Sequence, residues 1–258
     1  MIYQFYRFVE LLCIRYHVYV MLKSLNNKSF GNYSLIEWLI IGLFAYFFIV
    51  LEPLMLARII VLIIAVVIHE LAHGWVAFQC GDNTAKYQGR LTLNPIRHLD
   101  PIGSVLLPIM LVLSGSPFLF GWAKPVPVNM ASLRDPMNDM VKVALAGPLS
   151  NITLAIGFAQ LLKLIVFTEP GFIRQMPWLI DVIQYGVIIN IVLAVFNMIP
   201  IPPMDGSRVL YRFLSMTGRS FLDRIEPYGM WIIILLAFFG VFNIILQMVS
   251  IPLIRLLL

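Results

Sequence analysis

The sequence predicts an all-α, polytopic membrane protein with about five to six transmembrane helices and one re-entrant hairpin. Of its 258 residues, 60% are apolar and only 12% are charged, roughly half the charged share of an average soluble domain. The apolar residues are concentrated in six long stretches. Because about 20 apolar residues cross a bilayer as one helix, a lipid bilayer is the predicted environment for most of the chain.

The chain is predicted to divide into a basic amphipathic segment, residues 1–34, and a single membrane-embedded domain, residues 35–258, with its core at about 57–216. Arg7 and Arg15 interrupt the first apolar run, which argues against a cleavable signal peptide. The formal net charge is +5, but the basic residues lie between apolar stretches rather than in one patch. Membrane topology therefore explains them better than nucleic-acid binding, and we expect no nucleic-acid partner.

The six apolar stretches differ in their capacity to cross a bilayer. Four are long enough, the first is marginal, and the third is short and interrupted by Pro108, Gly115 and Pro117. We therefore expect the third stretch to enter the membrane and return on the same side. In chain order they are Leu35–Leu51, Ala57–Cys80, Ile102–Phe120, Val141–Phe167, Asp181–Ile199 and Tyr228–Ser250.

Lysine and arginine residues indicate the orientation of the chain. Both connections that flank Ile102–Phe120 are basic, and basic connections belong on the cytoplasmic side. A re-entrant third stretch satisfies this rule throughout, whereas a third crossing does not. The sequence thus predicts five crossings of a prokaryotic-type cell membrane, a cytoplasmic N-terminus and an external C-terminus. The flanking basic residues are Lys86, Arg90 and Arg97 before the stretch, and Lys124, Arg134 and Lys142 after it.

The second apolar stretch contains the motif HELAH, residues 69–73, after ten apolar residues. His69 and His73 are four residues apart and share one face of a helix, so both imidazoles can reach one metal ion. Glu70 is rotated by about 100° and can act as the general base. HExxH on a helix is the zinc-protease signature. The alternative is a hydrogen-bonded polar cluster, but ionisable groups at this depth cost roughly 2.5 kcal/mol or more each.

A catalytic zinc site needs a third protein ligand, and Asp205 is the candidate. It follows the proline-rich run NMIPIPPM at the end of an apolar stretch, where irregular backbone has to be buried in protein or line a cavity. The alternative is that Asp205 caps the next helix. Among the other histidines, His17 lies in the N-terminal segment. His98 is interpreted as a surface residue, with a role beside the site as the alternative.

Three motifs in this order, HELAH, AGPLSN and NMIPIPPMDG, resemble those of the site-2 protease family of intramembrane zinc metalloproteases. The resemblance runs from about Ile59 to Leu214. It implies that zinc is the cofactor and that certain asparagines position substrate or stabilise the oxyanion, with interhelical hydrogen bonding as the alternative. The implied residues are the zinc ligands His69, His73 and Asp205, the catalytic base Glu70, and the asparagines Asn151 and Asn197.

The stretch from Gly89 to Pro108 is similar to one that follows the zinc helix in this family. There the resemblance implies a re-entrant β-hairpin that presents an edge to an unwound substrate. Such a hairpin makes Ala57–Cys80 and Asp181–Ile199 parallel, so Asp205 lies in the same half of the bilayer as His73. Many relatives carry additional regulatory domains, and the connections between the spans are too short to hold one.

The sequence therefore predicts a zinc metalloendopeptidase that hydrolyses a peptide bond within transmembrane segments of membrane-protein substrates, near the cytoplasmic side. The alternatives are a non-catalytic pseudoprotease and a metal-binding membrane transporter. An intact set of ligands with a base argues against the first. The lack of a second relay of intramembrane acids in the sequence argues against the second.

Overall fold

The computed structural model describes residues 53–113, 121–169 and 171–258. The predicted N-terminal segment and the first apolar stretch lie outside these residues. Arg58–Leu258 forms one compact unit. In chain order the described α-helices are α1 Pro53–Gln79, α2 Thr84–Tyr87, α3 Leu107–Leu113, α4 Pro136–Thr168, α5 Phe172–Gln175, α6 Pro177–Asn197, α7 Asp205–Phe213, α8 Met216–Ile225, α9 Gly229–Phe238, α10 Val241–Ile245 and α11 Ile251–Leu257.

Three described helices, α1, α4 and α6, are long and apolar enough to cross a membrane. With 27, 33 and 21 residues, they extend about 30 to 50 Å at 1.5 Å per residue, against a hydrocarbon core of about 30 Å. Helices α4 and α6 each begin at a proline, whose missing N–H is not needed in the first turn. The all-helical membrane architecture is thus confirmed. The described part of the chain has three such helices, or four if the bent helix pair near the C-terminal end forms one span.

That element is a bent pair, Met216–Phe238 with Val241–Leu257, whose two arms meet at 74°. The sequence predicts one continuous span from Tyr228 to Ser250. Gly240 breaks it because its φ of +72° lies in the left-handed region, which ends helix α9. The predicted count of five to six crossings stays a prediction, since its first span lies outside the described residues.

Between Gly89 and Leu113 the structure has no strand: turns and a short 3-10 helix, Pro95–His98, precede a helical segment that begins at Pro101. Asp100 accepts hydrogen bonds from the backbone N–H groups of Ile102 and Gly103, and Pro101 occupies the first turn. These are helix-start features, so Pro101–Leu106 forms a π-helix that continues into α3. The expected β-hairpin is therefore wrong for the described part of this stretch. Its re-entry into the membrane stays a prediction.

Helices α1 and α4 are antiparallel, as two pairs of contacts show. His69 contacts Asn151, and His73, one turn further along α1, contacts Val143, two turns earlier in α4. This packing brings the HELAH motif and the first half of α4 together. The zinc motif therefore lies against the helix that carries AGPLSN.

Helices α4 and α6 are antiparallel as well. Asn151 contacts Asn190, while Phe158 contacts Gly186, where a Cβ would lie 2.8 Å from the phenyl ring. The missing side chain at Gly186 thus permits the two helices to approach closely. Because α1 and α6 each run opposite to α4, they are parallel to one another, as the sequence predicts. The end of α6 and the residues that follow it consequently lie towards the HELAH end of α1.

Candidate metal centre

The three predicted ligands converge on one point. Oδ2 of Asp205 lies 3.2 Å from Nε2 of His69 and 3.3 Å from Nε2 of His73, and the two Nε2 atoms are 3.0 Å apart. His69 and His73 are only 6% and 8% exposed. One donor atom from each residue lies within 4.8 Å of the others, and together they can hold one metal ion.

The turn between α6 and α7 brings Asp205 to this point. After Asn197 the chain turns sharply and passes back over itself, so that a Cβ at Gly206 would lie 2.8 Å from the carbonyl oxygen of Ile199. Only glycine fits this approach without displacing backbone. Met204 is the N-cap of α7 and Asp205 its first residue. The alternative role of Asp205 as a helix cap is therefore not the one observed, because the carboxylate faces the imidazoles instead.

The second ring nitrogen of each histidine contacts helix α4. Nδ1 of His69 lies 2.5 Å from Oδ1 of Asn151, and Nδ1 of His73 lies 2.7 Å from the carbonyl oxygen of Val143. Both partners are oxygens that only accept hydrogen bonds, so a neutral imidazole at either position carries its proton on Nδ1. Nε2 then keeps its lone pair for the metal. Such outer contacts orient the rings and fix their tautomers in metal sites.

Asn151 is fully buried, and its side-chain nitrogen is also engaged. Nδ2 donates to Oδ1 of Asn190 at 2.9 Å and lies 3.4 Å from the carbonyl oxygen of Ala65. This is the interhelical hydrogen bonding that the sequence analysis leaves open. An oxyanion donor has to face the substrate, whereas this amide faces the interior of the helix bundle.

Gly147 is a residue of the site that the sequence reasoning missed. A Cβ there would lie 2.6 Å from Nε2 of His69 and closer still to Nε2 of His73. The glycine of AGPLSN thus leaves room beside the ligand atoms. Its place in the motif, four residues before Asn151 on the same helical face, is the signal that could have revealed it.

Glu70 is half-buried beside the ligands and contacts the segment that leads into α4. We name residues 121–129, which form neither helix nor strand, the return segment. The backbone N–H of Val126 in this segment donates to Oε2 of Glu70 at 2.7 Å. One carboxylate oxygen of Glu70 is thereby fixed by the backbone.

The return segment is held by the side chain of Arg90 and by the backbone of His98, which both lie between α2 and α3. Arg90, 5% exposed, donates from a terminal guanidinium nitrogen to the carbonyl oxygens of Lys124 at 2.6 Å and Pro125 at 3.2 Å. The carbonyl oxygen of His98 accepts from the backbone N–H of Lys124 at 2.9 Å. His98 is 2% exposed, so its interpretation as a surface residue is wrong. Nε2 of its ring lies 2.9 Å from the carbonyl oxygen of Thr92, which accounts for its burial.

The far end of the return segment is attached to the end of α1. The backbone N–H of Asn129 donates to Oδ2 of the buried Asp82 at 2.7 Å. Burial opposes ionisation of this carboxyl, but hydrogen bonds from Thr84 and Asn129 outweigh it and hold the pKa of Asp82 below its ordinary value. The return segment is therefore fixed on both sides of Val126.

Asn197, the other predicted asparagine, is half-buried at the last residue of α6. Its Nδ2 donates to the carbonyl oxygen of Leu193, one turn earlier, at 3.0 Å. Unlike Asn151, it makes no hydrogen bond to the histidine ligands within the described residues. It stands at the entrance to the turn that leads to Asp205.

The residues present fit a zinc ion. Two imidazoles and a carboxylate form a common set of three protein ligands, which leaves a fourth position open. Oδ2 of Asp205 is buried and has no hydrogen-bond donor among the described residues, and a buried carboxylate oxygen of this kind requires a cation or a donor. The space that Gly147 leaves open lies at the same point.

A His-His-Asp centre with an adjacent glutamate, set in long apolar helices, defines a membrane zinc metalloprotease. Residues 159–240 match the model of Peptidase family M50. "Putative zinc metalloprotease YwhC" of Bacillus subtilis is 39% identical over 179 residues, which cover 69% of this chain and 78% of the relative. Rip2 of Mycolicibacterium smegmatis, which carries the same description, is 27% identical over 191 residues, or 72% of this chain and 70% of the relative.

The chain belongs to peptidase family M50, the site-2 protease family. No solved structure gives a significant match. The family and the helices make it a multi-pass membrane protein, and zinc is its metal.

Proposed function

We propose that the chain hydrolyses a peptide bond within transmembrane segments of membrane-protein substrates, with Glu70 as general base and His69, His73 and Asp205 as zinc ligands. One observation carries the proposal. The ligand atoms of the three residues converge beside Glu70, and the ten residues that precede His69 in helix α1 are all apolar.

The depth of the site favours an embedded substrate. Ten residues of helix extend roughly 15 Å at 1.5 Å per residue, so the ligands lie well below the membrane surface if the apolar stretch begins there. A soluble peptide would have to enter with its amide groups desolvated, at several kcal/mol for each unpaired group. A transmembrane segment is already at this depth and requires only local unwinding. Substrates with helix-weakening glycine, proline or asparagine are therefore expected.

The side chains of the site divide the chemistry among them. When bound, zinc supplies a Lewis acid that activates water and polarises the scissile carbonyl. Glu70 takes a proton from the attacking water and transfers it to the leaving amine nitrogen. The N–H of Val126 holds one oxygen of Glu70, and this supports a role for the other oxygen as the proton acceptor. We assign Asn197 to substrate positioning or oxyanion stabilisation, supported by its partial exposure before the turn to Asp205.

For topology we propose a cytoplasmic N-terminus in a prokaryotic-type cell membrane, and a stretch Ile102–Phe120 that enters and leaves on one side. The antiparallel packing of α1 and α4 supports this re-entry, because a full crossing between them would make the two helices parallel. The basic connections on both sides of the stretch support the cytoplasmic assignment.

The test separates the ligands from the base. His69→Ala, His73→Ala and Asp205→Ala should each lower the zinc content of the purified protein, which is one ion per chain in the wild type. Glu70→Gln should retain the zinc, because an amide oxygen can still accept the Val126 N–H, and should lose turnover by about 100-fold or more.

Two results would contradict these assignments. Full zinc retention in Asp205→Ala would remove Asp205 from the ligand set. Undiminished turnover in Glu70→Gln would remove Glu70 as the base, and turnover undetectable even in the zinc-loaded wild type would favour the pseudoprotease or transporter alternative.

A further inference from the structure

A buried side-chain amide on helix α6 is hydrogen-bonded to a second amide, which contacts one of the proposed zinc ligands. Asn190 and Asn151 are both 0% exposed, and Oδ1 of Asn190 accepts from Nδ2 of Asn151 at 2.9 Å. Asn190 has no contact with the ligands in the described structure. We propose that Asn190 is a positioning residue that selects the tautomer of His69 through Asn151.

The orientation of Asn190 is fixed by its own helix. Its Nδ2 donates to the carbonyl oxygen of Gly186, one turn earlier, at 2.8 Å. A carbonyl oxygen only accepts hydrogen bonds, so the nitrogen of Asn190 has to face Gly186 and its oxygen has to face α4. Reversing the amide would place two oxygens against each other at a fully buried position.

The orientation of Asn190 in turn fixes that of Asn151. The oxygen of Asn190 requires a donor, and among the described residues Nδ2 of Asn151 supplies it. The weaker contact of the same nitrogen with the carbonyl oxygen of Ala65, at 3.4 Å, favours the same orientation. Oδ1 of Asn151 is left to face Nδ1 of His69 at 2.5 Å.

The final step concerns the proton of His69. Because Oδ1 of Asn151 only accepts, the proton of a neutral His69 lies on Nδ1 and the lone pair on Nε2, the atom that faces His73 and Asp205. If Asn151 were reversed, its NH2 group would face Nδ1 and favour the proton on Nε2. That tautomer cannot bind the metal through Nε2. Asn190 thus acts on zinc binding across two hydrogen bonds.

The inference rests on the zinc site of the proposed function. Its test measures zinc affinity by chelator competition. Asn190→Leu removes both amide groups from a membrane helix with little change in volume, and should weaken zinc binding about tenfold to 100-fold, the usual effect of losing an outer contact. Asn190→Asp should restore most of the affinity, because a protonated carboxyl can donate to Gly186 and accept from Asn151. Val187→Ala is the packing control, since Val187 is buried on the same helix and has no polar group.

Two further measurements distinguish a positioning role from a merely structural one. On an Asn151→Leu background, Asn190→Leu should cause no further loss of zinc affinity, because its route to His69 is already cut. Nitrogen-15 NMR of labelled histidine in the metal-free protein should show the Nδ1–H form of His69 in the wild type and a mixture in Asn190→Leu. Asn190→Ala, which removes the same amide, replaces Asn190→Leu if that variant does not fold.

Wild-type zinc affinity in a folded Asn190→Leu or Asn190→Ala variant would overturn the inference, as would additive losses in the double variant. A drop in affinity equal to that of Val187→Ala would overturn it as well. Failure of the proposed function is distinguishable, because a wild type that binds zinc without proteolysis would leave the Asn190 result intact.

Discussion

The backbone N–H of Val126 donates to Oε2 of Glu70 at 2.7 Å, although 56 residues separate the two in the chain. This contact joins the zinc helix to the return segment. A general base has to be within hydrogen-bond reach of the proton that it takes, so fixing one of its oxygens also restricts the other. The residues that hold the return segment should therefore affect turnover without affecting the metal.

Arg90→Met tests this connection. It removes the hydrogen bonds that the Arg90 guanidinium donates to the carbonyl oxygens of Lys124 and Pro125, and a hydrogen bond from a charged group contributes about 1.5 to 3 kcal/mol. We expect turnover to fall about tenfold or more, with zinc content unchanged at one per chain. The control is Arg134→Met, because Arg134 is exposed and donates to the carbonyl oxygen of Gln79, outside the return segment. Equal losses of turnover in the two variants would contradict a specific role for Arg90.

Gly147→Ala tests the space beside the ligands. The added methyl group would lie 2.6 Å from Nε2 of His69, so we expect the variant to lose most of its zinc, as measured by atomic absorption. Gly157→Ala is the matched control on the same helix, since a Cβ there meets nothing within 4 Å. It should keep its zinc and gain up to about 1 kcal/mol of helix stability. A Gly147→Ala variant with full zinc content would show that the ligands do not converge at this point.

Much of the site could be predicted because it depends on local periodicity. The four-residue spacing of His69 and His73 fixes their shared helical face, and the proline run before Asp205 marks irregular backbone at membrane depth, where a carboxylate requires a cation. The parallel arrangement of α1 and α6 followed from charge and motif order. By contrast, the contacts of Val126 and Asn190 arise only when distant segments pack together, and no local pattern indicates them.

The errors have physical causes too. His98 lies among charged residues, a pattern typical of a surface loop, yet it is buried, with its ring against the carbonyl oxygen of Thr92 and its own carbonyl oxygen bonded to the N–H of Lys124. The expected β-hairpin came from the resemblance alone. Locally, Asp100 and Pro101 form a helix start, and this determines the structure of the described part of that stretch.

Cysteine labelling in a background without Cys13 and Cys80 tests the topology. Tyr87, Lys124 and Arg174 are exposed and can be replaced singly by cysteine. Labels at positions 87 and 124 should report the cytoplasm, and a label at position 174 the outside. Positions 87 and 124 on opposite faces would mean that Ile102–Phe120 crosses the membrane, contrary to the proposed re-entry.

The central claim is that this zinc site cleaves peptide bonds inside the membrane, and reconstitution tests it most directly. The purified protein is placed in proteoliposomes with a panel of single-span substrates and a soluble casein-type control, and the products are mapped by mass spectrometry. The account predicts cuts within the apolar segment that disappear with a zinc chelator or in Glu70→Gln, and that decrease when a central glycine of the substrate becomes leucine. Efficient, chelator-sensitive cleavage of the soluble control with every embedded substrate intact would contradict the claim.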